Sequence, residues 1–368
     1  MSADAPAIPT FIARPEWYGD GSPNPLPASG RALRWGVVAT GSISNTVTAD
    51  LALLEDAVLQ AVSSRSEQSA AQFARKFGFA SSYSDQDGVP GYQRMFDDPL
   101  VDVVYIGTPH GQHFEVAKAA LLSGKHVLCE KALTINAREA EELIRLAGER
   151  GLFLMEALWS RFTPGVQRAV EIVSSGALGE IHWVRADLGF PAPQDLNSRI
   201  WAPEAGGGAL LDLTVYPLVW AWGMLGAPDS VQASGTLTDW GVDAQNAITL
   251  EYSRGAHAQL MSSLLAQGPR QASVAGSKGW LSTLGSVPNP SGLSIRYGWN
   301  GSGWDEERSE EFSPVGSGYT YQLREVSRCI QQGLQQSPTM PWQDSLDIMR
   351  LFDGVRAQLG VSYPNDQR

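Results

Sequence analysis

Hydrophobic positions fall into two regimes along the chain. In the first, short and nearly continuous apolar runs alternate with stretches of helical period. The runs WGVVAT (35–40), VLQAVSS (58–64), VDVVYIGT (101–108), HVLCE (126–130) and LFLMEAL (152–158) read as strands. A helix to about Leu54 follows the first run and another through Phe77 follows the second. HFEVAKAALLSG (113–124) is helical and ends at Gly124, and residues 136–150 form a helix with Gly151 as its stop. Strands that are apolar at nearly every position are buried on both faces, so these repeated β-α-β units predict a parallel sheet covered by helices.

The second regime begins after about Trp159. One helix (164–175) ends at SSGALG, and alternating stretches follow at 181–190, 230–238, 246–252, 257–265 and 270–276. Period-two alternation predicts a mostly antiparallel sheet with one open face. An Ala/Leu/Trp-rich helix (207–224) lies between its first two strands, residues 285–318 read as loops, and 319–335 and 342–359 look helical. No internal repeat is visible. The fold class expected is α/β: a Pro-rich extension (1–32), a Rossmann domain (33–157), and an α+β domain (158–368) with a large, mostly antiparallel open sheet. The C-terminal helices are free to pack back on the first domain.

Composition narrows the function classes. The 368 residues are 43% apolar and 18% charged, with net charge −12 and pI about 4.9, so a broad basic face for nucleic acid is not expected. An anionic cofactor remains compatible, because helix N-termini and a few placed cations bind anions locally. Two cysteines, Cys129 and Cys329, fit a reducing cytoplasm rather than a disulfide framework. No apolar run looks long enough to span a bilayer, and the N-terminus lacks the basic start and apolar stretch of a secretion signal. That segment reads either as a Pro-rich tail or as an ordered arm carrying Phe11, Trp17 and Tyr18.

Candidate chemistry starts at the first strand–helix turn, GVVATGSIS (36–44). On the dinucleotide template its small positions are Ala39, Gly41 and Ser44, and the contacts expected are Ala39, Thr40, Gly41, Ser42 and Ile43. A small residue permits the tight turn, Gly41 lets backbone approach a pyrophosphate, and the helix start favours phosphate. Two template glycines are missing, so alone the turn equally fits an ordinary strand–helix connection. The second strand ends SSRS (63–66) with no acid for a ribose 2′-hydroxyl. Ser64, Arg65 and Ser66 can hold a 2′-phosphate instead, which favours NADP, with NAD the alternative.

Several motifs then occur in a fixed order: GTPHGQH (107–113), GKHVLCEKAL (124–133), MEALWSRFTP (155–164) and GGGALLDLTVYPL (206–218). With the cofactor turn, they resemble the glucose–fructose oxidoreductase/inositol dehydrogenase (Gfo/Idh/MocA) family from Leu33 to the C-terminus. WSRF and the closing Tyr of DLTVY are most similar to its dimeric dihydrodiol dehydrogenase branch. The resemblance implies Lys131, Tyr216 and Asp212 as catalytic residues. An ammonium beside a reacting carbonyl stabilises the alkoxide, and a phenol can exchange the hydroxyl proton. Asp212 and Tyr216 are four apart on the expected helix and share a face, which fits a cap and a packed aromatic as well. The resemblance further implies Thr108, Pro109, His113, Glu130, Trp159 and Arg161 as cofactor neighbours; Arg199 and Trp201, which lie before the glycine run, are candidate substrate contacts with Asp212 and Tyr216. Ala132 stands where the family has a proline that often makes a cis bond, which an alanine does far more rarely.

The five histidines show no metal-ligand spacing, and no metal is expected. The function implied is NADP-dependent hydride transfer at a CH–OH or C=O carbon of a sugar, polyol or cyclic diol. A closed-cycle sugar oxidoreductase with tightly held cofactor and a non-catalytic NADP sensor are the alternatives. The expected partners are a small-molecule substrate and further copies of the chain, as a dimer or tetramer through the open sheet, with no nucleic acid or membrane.

Overall fold

The structure, a computed structural model, describes residues 26–367; the proposed arm with Phe11, Trp17 and Tyr18 lies outside the described residues. The first half is a six-stranded sheet: β1 (Leu33–Val38), β2 (Ala57–Ser64), β3 (Ser81–Ser84), β4 (Val103–Ile106), β5 (His126–Glu130) and β6 (Leu154–Ala157). All pairs are parallel, in the order β3-β2-β1-β4-β5-β6. This is the doubly wound arrangement, which places ligands outside the carboxyl ends of β1 and its neighbours. Its connections carry α1 (Ser42–Leu51), α2 (Glu67–Phe77), α3 (Gly91–Phe96), α4 (His110–Leu122) and α5 (Ala137–Arg150). Strand β4 is buried at every residue, which is why its sequence has no polar face. The short β3 and α3, for which the apolar pattern gave no expectation, complete the edge beside β2.

After a 3₁₀ turn (Trp159–Phe162) and α6 (Pro164–Ser174), an eight-stranded sheet begins. Its members are β7 (Ile181–Gly189), β8 (Ser230–Leu237), β9 (Asp243–Glu251), β10 (His257–Ser263), β11 (Ala272–Gly276), β12 (Gly279–Ser286), β13 (Asn289–Trp299) and β14 (Trp304–Glu311). The order is β14-β13-β12-β11-β7-β10-β9-β8, antiparallel except for the parallel β7–β10 pair. The α/β class with a large, mostly antiparallel sheet is therefore the fold observed. The expectation of loops over 285–318 is corrected: most of that stretch is β13 and β14. Strand β14 reads WDEERSEE and has no buried position, so hydrophobic alternation could not reveal it. It is an edge strand, where charge discourages pairing with another chain.

One face of this sheet is covered. Helix α7 (Val215–Leu225) packs under β7, β10 and β11, and α6 packs under β13. The other edge strand, β8, is met by α9 (Trp342–Leu359), where the Gln358 amide accepts from Ala233 N at 2.7 Å and donates to Val231 O at 3.1 Å. Both edges are thus blunted, while the second face carries exposed Trp183 and Met261. The reading that no run is long enough to span a bilayer also needs correction. Pro203–Leu225 is long and apolar enough by length and composition, and here it is a buried core segment of the protein. Helix α8 (Thr320–Gln331) lies against α1, and α9 against α5.

Candidate active site

A cleft of about 680 Å³ opens at the carboxyl ends of β1, β2, β4 and β5. At its nucleotide end lie Ala39, Thr40, Gly41, Ser42 and Ile43, with Ser64 and Arg65 beside them. The N-terminus of α1 has no side-chain cap and no acid in its first turn, so its amide groups and dipole are left for an anion. A Cβ built on Gly41 would meet nothing within 4 Å, which leaves the cradle open for a phosphate to approach the backbone. These two observations fit a dinucleotide pyrophosphate. Ser66, by contrast, caps α2, its hydroxyl accepting from Ser69 N at 3.4 Å. Gly91 packs so close that a Cβ there would stand 2.8 Å from the Ser84 backbone and 2.9 Å from Ser64 O. Asp85 and Tyr92 join the cleft wall at this end, and neither carried any motif in the sequence.

At the other end, Lys131 leaves β5 buried. Its Nζ donates to the Asp212 backbone oxygen at 2.6 Å and to Asp212 Oδ1 at 3.2 Å. The Lys131–Ala132 peptide is cis although no proline is present. Arg199, about half exposed, donates to the same Oδ1 at 3.2 Å. Burial alone would raise the Asp212 carboxyl, but the two cations outweigh it and hold the pKa well below the usual carboxylate range. Asp212 sits in a π-helical turn, Leu210–Thr214, which runs into α7. Tyr216 follows one turn on, with Lys131 Nζ 5.0 Å from its ring centroid. Its hydroxyl accepts from Trp159 Nε1 at 3.1 Å. Burial, and then the nearby Glu130, push the phenol pKa far above its ordinary value. Glu130 accepts from Tyr105 Oη at 2.8 Å and is raised by burial to about 7.

Two histidines brace this floor. His110 sets Nδ1 2.9 Å from Gly206 O and Nε2 3.0 Å from Lys131 O. His113 sets Nδ1 2.8 Å from Ala132 O and Nε2 2.9 Å from Thr108 O. Burial lowers their pKa to about 3 and about 4, so each ring is neutral and donates to only one of its two carbonyls. His110 also lines the cleft, from the same GTPHGQH motif in which only Thr108, Pro109 and His113 were expected to act.

Of the residues expected to touch cofactor or substrate, Thr108, Pro109, Glu130, Lys131, Arg199, Asp212 and Tyr216 line the cleft. Four do not. His113 is fully buried behind it, and Trp159 stands behind Tyr216. Arg161 needs correction: it is 1% exposed, with Nη2 2.5 Å from Asp344 Oδ2 and Nη1 2.7 Å from Met340 Sδ. Its guanidinium therefore ties the 3₁₀ turn to the start of α9. Trp201 is also buried, donating Nε1 to Pro193 O at 2.8 Å and packing on Trp240. The run Gly206–Gly208 is demanded by the protein itself. Gly206 has φ +70° and Gly208 φ +110°, and added Cβ atoms would strike Ile135 and the Asp243 carboxylate.

Comparison with known proteins agrees with the fold. Residues 33–158 match the model of an oxidoreductase family with an NAD-binding Rossmann fold, and residues 166–282 match the GFO/IDH/MocA C-terminal domain. Trans-1,2-dihydrobenzene-1,2-diol dehydrogenase of Bos taurus is 35% identical over 341 residues, covering 91% of this chain and 99% of that protein. A 3-ketoreductase from Actinomadura kijaniata, solved with NADP and TDP-benzene, superposes with a TM-score of 0.75 at 27% identity, covering 89% of this chain and 98% of that one. A levoglucosan dehydrogenase solved with NADH and levoglucosan shares the fold, with a TM-score of 0.79 at 21% identity, covering 90% and 98%.

The corrected role of Arg161 is testable. Arg161→Met leaves the Asp344 carboxylate buried without its cation, and should cost about 3 kcal/mol of unfolding free energy in urea. NADPH affinity should stay within about twofold, since no nucleotide contact is lost. A large loss of affinity at unchanged stability would return the guanidinium to the cofactor site.

Proposed function

The chain belongs to the Gfo/Idh/MocA oxidoreductase family and is an NAD(P)-dependent dehydrogenase acting on CH–OH groups; from that premise we propose that it uses NADP on a cyclic diol, sugar or polyol, with Lys131 and Tyr216 handling the hydroxyl proton. The observation that carries this reading is the meeting of Lys131, Asp212, Arg199 and Tyr216 at the inner end of the nucleotide cleft. The dinucleotide, when bound, supplies the hydride donor or acceptor. The N-terminal turn of α1 holds its pyrophosphate, and Arg65 with Ser64 takes the 2′-phosphate.

Tyr216 stays protonated near neutral pH, because burial and Glu130 oppose the phenolate. With its oxygen accepting from Trp159, its own proton is available to a substrate oxygen. The Lys131 ammonium, held by Asp212, stabilises the negative charge that grows on that oxygen during carbonyl reduction. In the oxidative direction the pair must first release one proton to solvent before it can receive that of the substrate hydroxyl. Asp212 remains ionised between its two cations, so it orients Lys131 without competing for protons. The two alternatives have less support. A closed cycle needs a tightly held cofactor, and the N-terminal segment that as an ordered arm could retain one lies outside the described residues; a pure sensor gains nothing from an assembled Lys–Asp–Tyr group.

The open face of the eight-stranded sheet supports a homo-oligomer. Its edges are blunted while Trp183 and Met261 stand exposed in the middle, where a second copy can cover them.

Three outcomes test these points. Lys131→Met should keep NADPH binding within about threefold and lower kcat by about a hundredfold or more, since one electrostatic group is typically worth that much; parent-like turnover would remove the lysine from the mechanism. Arg65→Ala should raise KM for NADP by about tenfold and leave KM for NAD within about twofold, the size of one charge-assisted contact; equal effects on both would end the 2′-phosphate assignment. Light scattering after gel filtration should give at least a dimer, and Met261→Asp should shift it toward monomer; a monomeric parent would refute the interface.

A further inference from the structure

We propose that Asp50 and Tyr319 are positioning residues for the catalytic phenol, linking the helix that cradles the nucleotide to Tyr216 through Trp159. The proposal rests on the reading of Tyr216 as the proton-exchanging group.

The link begins at an uncapped helix. Helix α8 starts at Thr320, and its N-cap position is Tyr319, whose side chain makes no cap hydrogen bond. The amides there turn instead to Asp50, on the last turn of α1 and only 2% exposed. Asp50 Oδ1 accepts from Ser317 N at 2.9 Å, and Oδ2 accepts from Tyr319 N at 2.8 Å, Thr320 N at 3.2 Å and Thr320 Oγ1 at 3.2 Å. A carboxylate met by three amides and a hydroxyl at a helix start is well satisfied, and it performs from another helix the capping that a tyrosine cannot. The same α1 begins at Ser42 and Ile43 in the nucleotide cleft.

Two glycines let the segment seat. Gly316 (φ +60°) and Gly318 (φ +96°) are both left-handed. A Cβ on Gly316 would strike the Asp50 carboxylate, and one on Gly318 would lie 3.2 Å from the Trp159 ring. Tyr319 then stacks on Trp159, with ring centroids 4.3 Å apart and planes 26° apart. Trp159 points its N–H at the Tyr216 hydroxyl. The stack fixes the plane of the indole, the indole occupies one lone pair of the phenol, and the phenol's proton is left to face the cleft. Without Tyr319 the indole is free to turn, and Tyr216 loses the donor that orients it.

The test reads the link directly and through turnover. The indole N–H resonance of Trp159 is assigned in ¹⁵N-labelled full-length protein by its loss in Trp159→Phe. Tyr216→Phe should move that resonance. Tyr319→Leu and Asp50→Asn should move it as well, and Tyr319→Phe, which keeps the stacked ring, should restore the parent position. In NADP-dependent oxidation of trans-1,2-dihydrobenzene-1,2-diol, Tyr319→Leu should lower kcat about tenfold with NADPH affinity within about threefold. In the Tyr216→Phe background the same substitution should add nothing, because coupled residues are not additive. An unmoved Trp159 resonance in Tyr319→Leu, or an equal loss of kcat in both backgrounds, overturns the link. If Tyr319→Leu does not fold, an unmoved resonance in Asp50→Asn decides against it. Unchanged kcat in Tyr216→Phe would defeat the proton-exchange reading instead, while the resonances still report whether the link exists.

Discussion

The arrangement depends on one buried contact, the hold of Asp212 on the Lys131 ammonium. Lys131 directly follows a strand of the parallel sheet, and Asp212 belongs to the turn that opens the core helix of the second sheet. Burying two charges is costly unless each finds further partners. Lys131 finds both the carbonyl and the carboxylate of one residue, and Asp212 finds a second cation in Arg199. One carboxylate between two cations gives the Asp212 group a positive balance, suited to an oxygen that gains negative charge, and the nearby Glu130 carboxyl, raised by burial to about 7, offsets that balance where it ionises. Because the contact bridges the two sheets, any shift between them is felt first at the lysine and then, one helical turn on, at Tyr216.

The shape of the turn explains how Asp212 serves twice. A π turn is wider than an α turn and recurs at functional sites. Here it presents the backbone oxygen and the carboxylate of Asp212 to the same ammonium. A buried polar cluster holds the widened backbone: Asp243 accepts from Leu210 N at 2.9 Å and from Asn246 Nδ2 at 2.9 Å, and Asn246 meets Thr214 Oγ1 at 3.1 Å. Tyr363, near the C-terminus, donates its hydroxyl to Gly207 O at 2.6 Å. The glycine run before the turn is therefore gripped from several sides rather than left loose, and a fixed approach is what a positioned lysine requires.

What the sequence revealed follows from which residues face the core. Strands β1, β2 and β4 to β6 were legible because burial on both faces leaves apolar runs with few other readings. Strand β14 was invisible because it has no buried face, and β3 because four half-exposed residues carry too little pattern. At the site, Lys131 and Glu130 were implied by the family resemblance, and their place at the carboxyl end of a parallel strand is where such sheets gather function. Arg161 and Trp201 were misread because nearness to a motif does not tell which way a side chain points. The partner of Arg161 is 183 residues away, and that of Asp50 is 267 to 270 residues away, beyond the reach of any local pattern.

The glycine-poor cofactor turn works because the jobs of the template glycines are divided among other residues. Left-handed backbone falls to Ala39, with φ +74°, at a cost of roughly 1–2 kcal/mol that the hydrogen bond its N–H donates to Ser63 O helps to offset. Open access to the helix start falls to Gly41, whose φ of −70° any residue could adopt, so glycine is needed there for space rather than for conformation. Close packing of helix on sheet is supplied from the opposite side. Ser44 is buried against Gly107 at the end of β4, where a Cβ would lie 2.5 Å from Ser44 Oγ and 3.0 Å from the Tyr105 ring. The third glycine of the template has in effect moved to the neighbouring strand. A motif search along one segment scores that as a loss, although the space between helix and sheet is preserved.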